Sequence, residues 1–156
     1  MQKISPYFQL YLRLALGAGY LTLGLDRLGA WGAYGKPGVS WGDWKHFMIY
    51  AADIMRFLPY SVAAIFAATA TTCEICFGIL LVAGKWTRVT ATGSGILTFL
   101  FGLSMAISHG ITDPIGYSVF TVSAASFLLA VNEKYRWSLD ELMQKKNAVQ
   151  VKSVHL

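Results

Sequence analysis

The chain has 156 residues, of which 55% are hydrophobic and only 13% are charged, and its formal net charge is +5 at pH 7. Because a soluble domain averages about 25% charged residues, this composition predicts a small integral membrane protein. It excludes a nucleic-acid-binding function, since that function needs a basic face on a soluble domain and the sequence offers no such domain. The basic residues instead indicate contact with anionic lipid at the ends of membrane spans.

Four apolar stretches follow one another along the chain, each close to the ~20 residues that cross about 30 Å of hydrocarbon. They cover about residues 7–28, 58–84, 89–108 and 115–131. The long loop after the first stretch predicts a short amphipathic helix at about 41–56, with tryptophans at the level of the lipid headgroups. An open sheet cannot satisfy its backbone inside a membrane. The predicted fold is therefore all-α, a transmembrane four-helix bundle.

The domain organisation and the orientation follow from these spans. A single four-span membrane domain is expected over residues 1–142, followed by a basic cytoplasmic tail over residues 143–156. Lysine and arginine are more numerous on the side of both termini and of the 85–88 turn than in the long loop. The positive-inside rule therefore predicts a multi-pass protein with both termini in the cytoplasm and the amphipathic helix outside.

Glu74 is the only charged residue of the second span, and a carboxylate at bilayer depth costs roughly 2.5–3.5 kcal/mol. Such a group needs a partner inside the bundle. Arg13 and Tyr20 share one face of the first helix, and the arginine lies at a depth from which its side chain can reach Glu74. We therefore expect an Arg13–Glu74 pair, with Tyr20 nearby, as a buried polar network or a ligand pocket. The pair either fixes the helix register, or it binds a head group or relays a proton.

A second group of ionisable residues is expected at the outer mouth of the bundle. It consists of Asp26, Arg27, His46, His109 and Asp113, which lie at span ends or in the long loop. Two interpretations stay open: a ligand or proton site with the amphipathic helix as its lid, or charged helix ends that meet water. Arg27 has a further alternative, because a long arginine side chain can snorkel to the lipid interface.

Cys73 and Cys76 form a C-x-x-C motif inside the second span. Near a helix N-terminus that motif is typical of thiol redox chemistry, but apolar surroundings in the middle of a helix reduce the reactivity of a thiol. The two cysteines are therefore interpreted as small hydrophobic side chains, with a redox role as the alternative. No metal site is predicted here, because zinc would need two further soft ligands.

Three motifs resemble those of the DoxX family. The first helix carries R-x-x-x-G at Arg13–Gly17 and ends in Gly24-Leu25-Asp26-Arg27, which is similar to the G-x-x-K/R that closes this helix in the family. Residues 74–88 fit E-x-x-x-G-x-x-L-x-x-G-x-x-T-R, and Arg136-Trp137-Ser138-Leu139-Asp140 is similar to the R-Y-S-L-D that follows the fourth helix. The resemblance covers nearly the whole chain, to about residue 142.

The resemblance implies a four-helix protein of the bacterial inner membrane that is associated with oxidoreductase systems. Relatives of the DoxD type form the small subunit of a thiosulfate:quinone oxidoreductase. We therefore expect a membrane subunit that works with other oxidoreductase subunits and binds a quinone or another lipophilic ligand near Arg13 and Glu74. No catalytic residue is assigned, because the sequence carries no autonomous catalytic motif and no haem, flavin or iron–sulfur motif.

The alternative is a non-catalytic membrane assembly or scaffold protein whose buried charges only fix helix packing. The two hypotheses differ in what they expect around Glu74. A cavity that is open to lipid and lined by Glu74 favours ligand binding, whereas a filled interior with a closed salt bridge favours a scaffold.

Overall fold

The computed structural model describes residues 5–154, and all the regular structure in that range is helical. Seven helices follow one another there: α1 (Pro6–Asp26), α2 (Trp44–Ile54), α3 (Tyr60–Ala83), α4 (Thr87–His109), α5 (Thr112–Gly116), α6 (Val119–Ala130) and α7 (Leu139–Val154). The helices α3 and α4, with 24 and 23 residues, are each long and apolar enough to cross a membrane. The all-α prediction is confirmed for this part of the chain.

Three of the predicted spans coincide with single helices. The stretches 7–28, 58–84 and 89–108 correspond to α1, α3 and α4, and their ends agree to about two residues. Among these three, α1 does not meet the hydropathy criterion that α3 and α4 meet. Its sequence is interrupted by Gln9 and Arg13, both of which are buried.

The fourth predicted span, 115–131, is not one helix. Helix α5 ends at Gly116 and α6 begins at Val119, and Ser118 between them has a φ of +58°, in the left-handed region. An L-residue in that region interrupts the helical hydrogen bonds, and the N–H of Val122 starts a new series by donating to the carbonyl oxygen of Ser118. Helix α6 has 12 residues and is about 18 Å long. The apolar composition of residues 115–131 predicts a membrane span, but it does not reveal a break inside that span.

Helix α1 packs chiefly against α3, and this contact depends on glycines. A Cβ placed on Gly17 would lie 3.1 Å from the carbonyl oxygen of Gly78, and one placed on Gly24 would lie 2.6 Å from Cγ1 of Ile75. Two helix backbones approach this closely where the residues between them are small. The contacts run antiparallel, so the residues after Gly24 lie beside the middle of α3, and those before Gly17 lie beside its end.

The bundle has two ends, which we name by what they carry. The terminus end carries the α3–α4 turn at 84–86 and the segment 131–138, and the α2 end carries the loops 27–59 and 110–118. The apolar core towards the terminus end includes Leu16, Tyr20, Leu81, Ala91 and Leu129. At the α2 end, α2 packs on α3 and α4 and buries Phe47, Met48, Ala51 and Ile54.

Helix α2 begins three residues later than the predicted helix 41–56 and ends two residues earlier. Asp43 is its N-cap, and Oδ1 of this residue accepts a hydrogen bond from the backbone N–H of His46 at 2.8 Å. A carboxylate at this position satisfies an unpaired amide and lies at the positive end of the helix dipole. The buried face of α2 packs against α3 and α4.

After α6 the chain returns over the terminus end and enters α7. The carboxylate of Asp140 accepts hydrogen bonds from the backbone N–H groups of Trp86 and Thr87, both at 2.8 Å. It thereby caps the start of α4 from a distant part of the sequence. The predicted boundary at residue 142 lies inside α7, which covers most of the predicted tail 143–156. Residues 155–156 of that tail lie outside the described residues.

Candidate ligand site beside the Arg27–Glu74 pair

Glu74 is buried near the middle of α3, and its partner is Arg27, which follows the last residue of α1. Nη1 of Arg27 lies 2.8 Å from Oε2 of Glu74, and the side chains are 3% and 11% exposed. The same Nη1 donates a hydrogen bond to Oγ1 of Thr71 at 2.8 Å. The α1–α3 register places the end of α1 beside this turn of α3. The pairing offsets two charges that would each be costly alone inside an apolar bundle.

The predicted Arg13–Glu74 pair is wrong. Nη2 of Arg13 donates a hydrogen bond to the carbonyl oxygen of Trp137 at 2.7 Å, and Nη1 donates one to that of Arg136 at 3.5 Å. Arg13 therefore lies at the terminus end, where its guanidinium occupies the space that a side chain on Gly84 would need. About ten residues of α3, or about 15 Å, separate this position from Glu74. Arg13 holds the segment after α6 against α1.

Two aromatic rings enclose the guanidinium of Arg27. Its Cζ lies 4.1 Å from the ring centroid of Phe47 and 5.3 Å from that of Trp41. A guanidinium over an aromatic face is attracted to the negative face of the ring, most strongly away from water. Buried Asp26 positions Trp41 by accepting a hydrogen bond from its backbone N–H at 2.7 Å. Asp26 thus anchors the loop that covers the neighbouring arginine.

Three polar side-chain atoms in and beside this pair are buried without a hydrogen-bond partner among the described residues. They are Nε of Arg27, Oε2 of Glu74 and Oδ1 of Asp26. Oε2 of Glu74 lies 2.8 Å from Nη1 of Arg27, so the ion pair offsets its charge. Buried polar groups in proteins are nearly always hydrogen-bonded. The described residues therefore leave hydrogen-bonding capacity unused at this site, at atoms that the surrounding side chains enclose.

A cavity of about 380 Å³ lies beside the pair, between α2, α3 and α4. The polar side chains that line it are Arg27, Glu74, Thr69 and Ser104. The rest of the lining is apolar and includes the phenylalanines Phe47, Phe57, Phe66 and Phe101. Two lining residues, Phe66 of α3 and Ile107 of α4, are 56% and 68% exposed. The cavity therefore opens on the outer surface of the two helices that are apolar enough to cross a membrane.

Tyr20 is buried, but it does not line this cavity. Its hydroxyl oxygen lies 2.9 Å from Oγ1 of Thr98 and 3.0 Å from Oγ of Ser126, which ties α1 to α4 and α6. The predicted grouping of Tyr20 with Arg13 and Glu74 is therefore wrong. The shared helix face predicted burial of both α1 residues, but their partners depend on the register and rotation of the other helices.

His46, predicted to converge with Asp26 and Arg27, belongs instead to the N-terminus of α2. Its Nδ1 lies 2.8 Å from Oδ2 of Asp43, and its ring stacks on Tyr34 with centroids 4.0 Å apart. The backbone N–H and the side chain of His46 together lower the pKa of Asp43. This contact stabilises the cap of α2 and adds no group to the cavity.

His109, by contrast, meets Asp113 as the predicted cluster requires, and it also meets a residue that the prediction missed. Its Nδ1 lies 3.1 Å from Oδ2 of Asp113, and its Nε2 lies 2.8 Å from Oδ2 of Asp53. One imidazole thus joins α4, α5 and α2. The single outer-mouth cluster of the prediction is therefore divided into the Arg27 site, the α2 cap and this His109 site.

The sequence analysis missed Thr71, Phe47 and Asp53. Thr71 precedes Glu74 by three residues and so lies on the same helix face, a signal that the sequence contains. Phe47 precedes the buried Ala51 by four residues and shares its face in the same way. For Asp53 the sequence offers no comparable signal, because its contact with α4 depends on how α2 folds back over the bundle.

Cys73 is half-buried, Cys76 is exposed, and both are free thiols inside α3. Neither residue lines the cavity. In the part of the chain that the structure describes, no group of three or more His, Cys, Asp and Glu side chains is arranged to hold a metal ion. Arg27 and Glu74 are the ionisable side chains that line the cavity.

Comparison with known proteins identifies a family. The family model described as "TQO small subunit DoxD" matches residues 8–156, which is nearly the whole chain. A search of curated proteins and a search of solved structures each gave no significant match. The family is one of oxidoreductase-associated membrane subunits, which agrees with the resemblance seen in the motifs at this broader level. The chain belongs to the DoxD family.

Proposed function

We propose that this chain is a membrane subunit of a quinone-linked oxidoreductase complex, and that its cavity binds the head of a quinone or quinol against Arg27 and Glu74. The description of the family as the small subunit of TQO supports the association with such a complex. The observation that carries the binding site is a buried Arg–Glu pair that lines an apolar, laterally open cavity of about 380 Å³. Small-molecule sites in proteins have volumes of about 300–1,000 Å³.

The pair supplies the two hydrogen-bonding functions that a quinone head needs. A quinone carbonyl oxygen accepts a hydrogen bond from an N–H of Arg27, and a quinol hydroxyl donates one to the carboxylate of Glu74. Nε of the arginine and Oε2 of the glutamate are buried without a hydrogen-bond partner among the described residues, and a small shift of either side chain towards the cavity would present them to the ligand. Hydrogen bonds to ionised groups are also stronger than neutral ones. The pair can therefore hold both oxidation states of the ligand, each through a different side chain.

The redox step needs electrons from outside this chain. Oxidation of a quinol to a quinone releases two electrons and two protons, and reduction takes up the same numbers. We assign the two electrons to a redox centre on a partner subunit, one of the two protons to water at the α2 end and the other to Glu74. Its carboxylate takes that proton from the quinol hydroxyl, and the carboxylic acid returns it during reduction. The contribution of this chain is to bind and orient the ligand and to exchange a proton with it.

The apolar lining suits a lipophilic ligand that arrives from the bilayer. Phe66 and Phe101 provide aromatic faces for a quinone ring. Exposed lining residues such as Ile107 mark the lateral opening, through which an isoprenoid tail can remain in lipid. A ligand that enters this way does not have to cross water.

We also propose that α1, α3, α4 and the α5–α6 pair form a four-helix bundle across the bacterial inner membrane. Exposed apolar side chains such as Ile65 and Ile96 provide its lipid-facing surface. Lys85 and Arg88 lie at or beside the turn of the terminus end, so the positive-inside rule places that end in the cytoplasm. The short α6 fits such a bundle if α5 or local thinning of the bilayer makes up the difference.

A non-catalytic scaffold role is the second candidate. The observation that favours it is the existing Arg27–Glu74 contact, because a buried pair that is already neutralised can serve packing alone. The cavity beside the pair favours ligand binding instead, since a scaffold gains stability from a filled interior.

Quinone content tests the proposed function. The protein is purified from membranes in a mild detergent, and its lipid extract is analysed for quinones by mass spectrometry. Ser104→Phe fills the cavity without replacing either member of the ion pair. Ile79→Phe adds the same ring at an exposed position of α3 that does not line the cavity, and it serves as the control. We expect about one quinone per chain in the wild type and the control, and little in Ser104→Phe.

Two outcomes would argue against this function. One is a wild-type quinone content no higher than that of the surrounding lipid. The other is an equal content in Ser104→Phe and the wild type, provided that both proteins give the same helical circular dichroism.

A further inference from the structure

His109 stands between two carboxylates that come from different helices. Asp53 of α2 approaches its Nε2 at 2.8 Å, and Asp113 of α5 approaches its Nδ1 at 3.1 Å. His109 itself is the last residue of α4. The two aspartate side chains are 56% and 40% exposed, so both carboxylates face water.

This arrangement fixes the protonation state in which both contacts are favourable. An ionised carboxylate only accepts hydrogen bonds, and a neutral imidazole has one N–H donor and one acceptor nitrogen. Both contacts are therefore hydrogen bonds only when both ring nitrogens carry a proton. In the neutral form, one nitrogen lone pair faces a carboxylate oxygen, and one of the two contacts becomes repulsive.

The contact to Asp53 matters because α2 forms one wall of the cavity. Phe47, Ala51 and Ile54 of α2 line it, and Asp53 lies on the same helix. A second contact joins α2 to α4 nearby, where Oγ of Ser108 donates a hydrogen bond to the carbonyl oxygen of Ile54 at 2.8 Å. The position of this wall is therefore set by residues at the end of α4.

We propose that His109 is a positioning residue for the quinone site: its protonated form binds α2 to α4 and α5, and loss of the proton releases α2 and weakens ligand binding. This inference rests on the proposed function, since it assigns a regulator to the same cavity. It makes occupancy of the cavity depend on the proton concentration at the α2 end. A proton released there when a quinol is oxidised would favour the form in which α2 is bound to α4 and α5.

The other titratable groups near this site do not change charge in the same range. Tyr50 of α2 lies within electrostatic range of Tyr117, Asp113 and Asp53, and burial raises the pKa of Tyr50 to about 12. Arg56, in the turn after α2, is exposed and forms no ion pair among the described residues. Between about pH 5 and pH 8, an ordinary histidine changes charge while aspartate, tyrosine and arginine do not.

We call the contacts of protonated His109 with Asp53 and Asp113 the His109 latch. A distance measurement tests this latch without any ligand. Spin labels are placed on Ile49→Cys of α2 and Ile96→Cys of α4, two exposed positions, in a Cys73→Ala/Cys76→Ala background. Pulsed electron spin resonance then gives the distance distribution at about pH 5 and about pH 8, the range in which a histidine titrates. We expect a narrow distribution at the lower pH and a broader one at the higher pH.

Three variants assign the change to His109. His109→Gln, which cannot donate from both sides of a ring, should give the broad distribution at both pH values. His109→Arg keeps a permanent charge and several N–H donors, and it should give the narrow one at both. His46→Gln is the control, because His46 contacts the N-cap of its own helix and joins no second helix, and it should behave as the wild type. A pH effect that survives in His109→Gln, or its absence in the wild type, would overturn the proposal.

Binding of a decyl-tailed benzoquinone to the same proteins tests the link to the cavity. Wild-type affinity should fall about fivefold or more from pH 5 to pH 8, as expected for coupling between two sites, and the fall should be absent in His109→Gln. Equal affinities at both pH values in the wild type would overturn the latch while leaving the quinone site in place. No binding at either pH, with the pH-dependent distance change still present, would instead overturn the quinone site. It would also overturn the proposal that His109 regulates quinone binding.

Discussion

A Cβ on Gly17 would lie 3.1 Å from the carbonyl oxygen of Gly78, so the backbones of α1 and α3 touch at these two glycines. This contact sets the register of the two helices. Because the helices run antiparallel, the register brings Arg27 beside Thr71 and Glu74 and leaves Arg13 beside Gly84. The identity of the buried ion pair is therefore a consequence of where the two glycines meet.

Replacement of Gly78 by alanine should destabilise the protein. The added methyl group would lie 2.6 Å from Cγ of Leu21 and 3.0 Å from the carbonyl oxygen of Gly17, and such overpacking costs about 1–3 kcal/mol. Gly19→Ala is the matched control on the same helix pair, because a Cβ there meets nothing within 4 Å. It should be neutral or stabilising by up to about 1 kcal/mol. Unfolding in mixed micelles measures both, and equal stability of the two variants would contradict the glycine register.

Removal of one member of the ion pair should cost more than removal of both. Glu74→Leu or Arg27→Leu alone leaves a buried charge without its partner, which typically costs about 3–5 kcal/mol. The double variant leaves no such charge and should be less destabilised than either single variant. A double-mutant cycle on the free energy of unfolding measures this coupling. As a control, Arg13→Leu should be additive with Glu74→Leu, since the two residues do not meet. Strong coupling of Glu74 to Arg13 instead of Arg27 would refute the assignment.

The N-cap of α2 should make the stability of this helix sensitive to acid. The hydrogen bond from the backbone N–H of His46 lowers the pKa of Asp43, with a further contribution from the His46 side chain. A carboxylate whose pKa is lower in the folded state stabilises that state above its unfolded pKa, about 3.9. This stabilisation is lost as the pH falls through the lowered value.

Amide hydrogen exchange in α2 measures this acid sensitivity. Protection of the first turn of α2 should decrease in acid in the wild type, whereas Asp43→Asn should lose most of that pH dependence. The direction is opposite to that of the His109 latch, which is lost as the pH rises. If the acid dependence of the first turn is the same in Asp43→Asn, the carboxylate is not its cause.

The cysteines should be dispensable. Cys73→Ala/Cys76→Ala should retain the wild-type stability within about 1 kcal/mol and the same quinone content. Both are free thiols, neither lines the cavity, and Cys76 is exposed on the surface of α3, where an apolar side chain of similar size serves as well. Thermal unfolding and mass spectrometry of bound quinone check this. Loss of oxidoreductase activity in the double variant, with quinone content unchanged, would restore the redox interpretation of the C-x-x-C motif.

The apolar pattern predicts the positions of most helices, but it does not predict which side chains of different helices meet. The periodicity of α1 predicts that Arg13 and Tyr20 share an inward face, and both residues are buried. The pairing of Arg13 with Glu74 was inferred from depth counted along straight helices. The number of residues between a side chain and the end of its own helix does not tell how far that helix is shifted along its neighbour. Here that shift depends on a contact between the two backbones at Gly17.

The sequence predicts only part of the candidate site, because it does not show which helices pack against one another. Glu74 and Arg27 were both recognised as residues that need an interior partner or an interface. The wall formed by α2 could not be placed, because the sequence gives the amphipathic face of a loop helix but not the helices on which it packs. Phe47, which covers Arg27, and Asp53, which meets His109, both depend on that packing. The break at Ser118 likewise leaves no mark in the apolar pattern.

Photo-cross-linking of a quinone tests the central claim most directly. The protein in native membranes is irradiated with a ring-substituted azidoquinone, digested, and mapped by mass spectrometry. The proposed function predicts labels on the cavity segments of α2, α3 and α4, such as those containing Phe47, Phe66 and Phe101. It also predicts that unlabelled quinone competes with these labels and that Ser104→Phe abolishes them. Labels restricted to the terminus end, or labels that unlabelled quinone does not reduce, would contradict a quinone site beside Arg27 and Glu74.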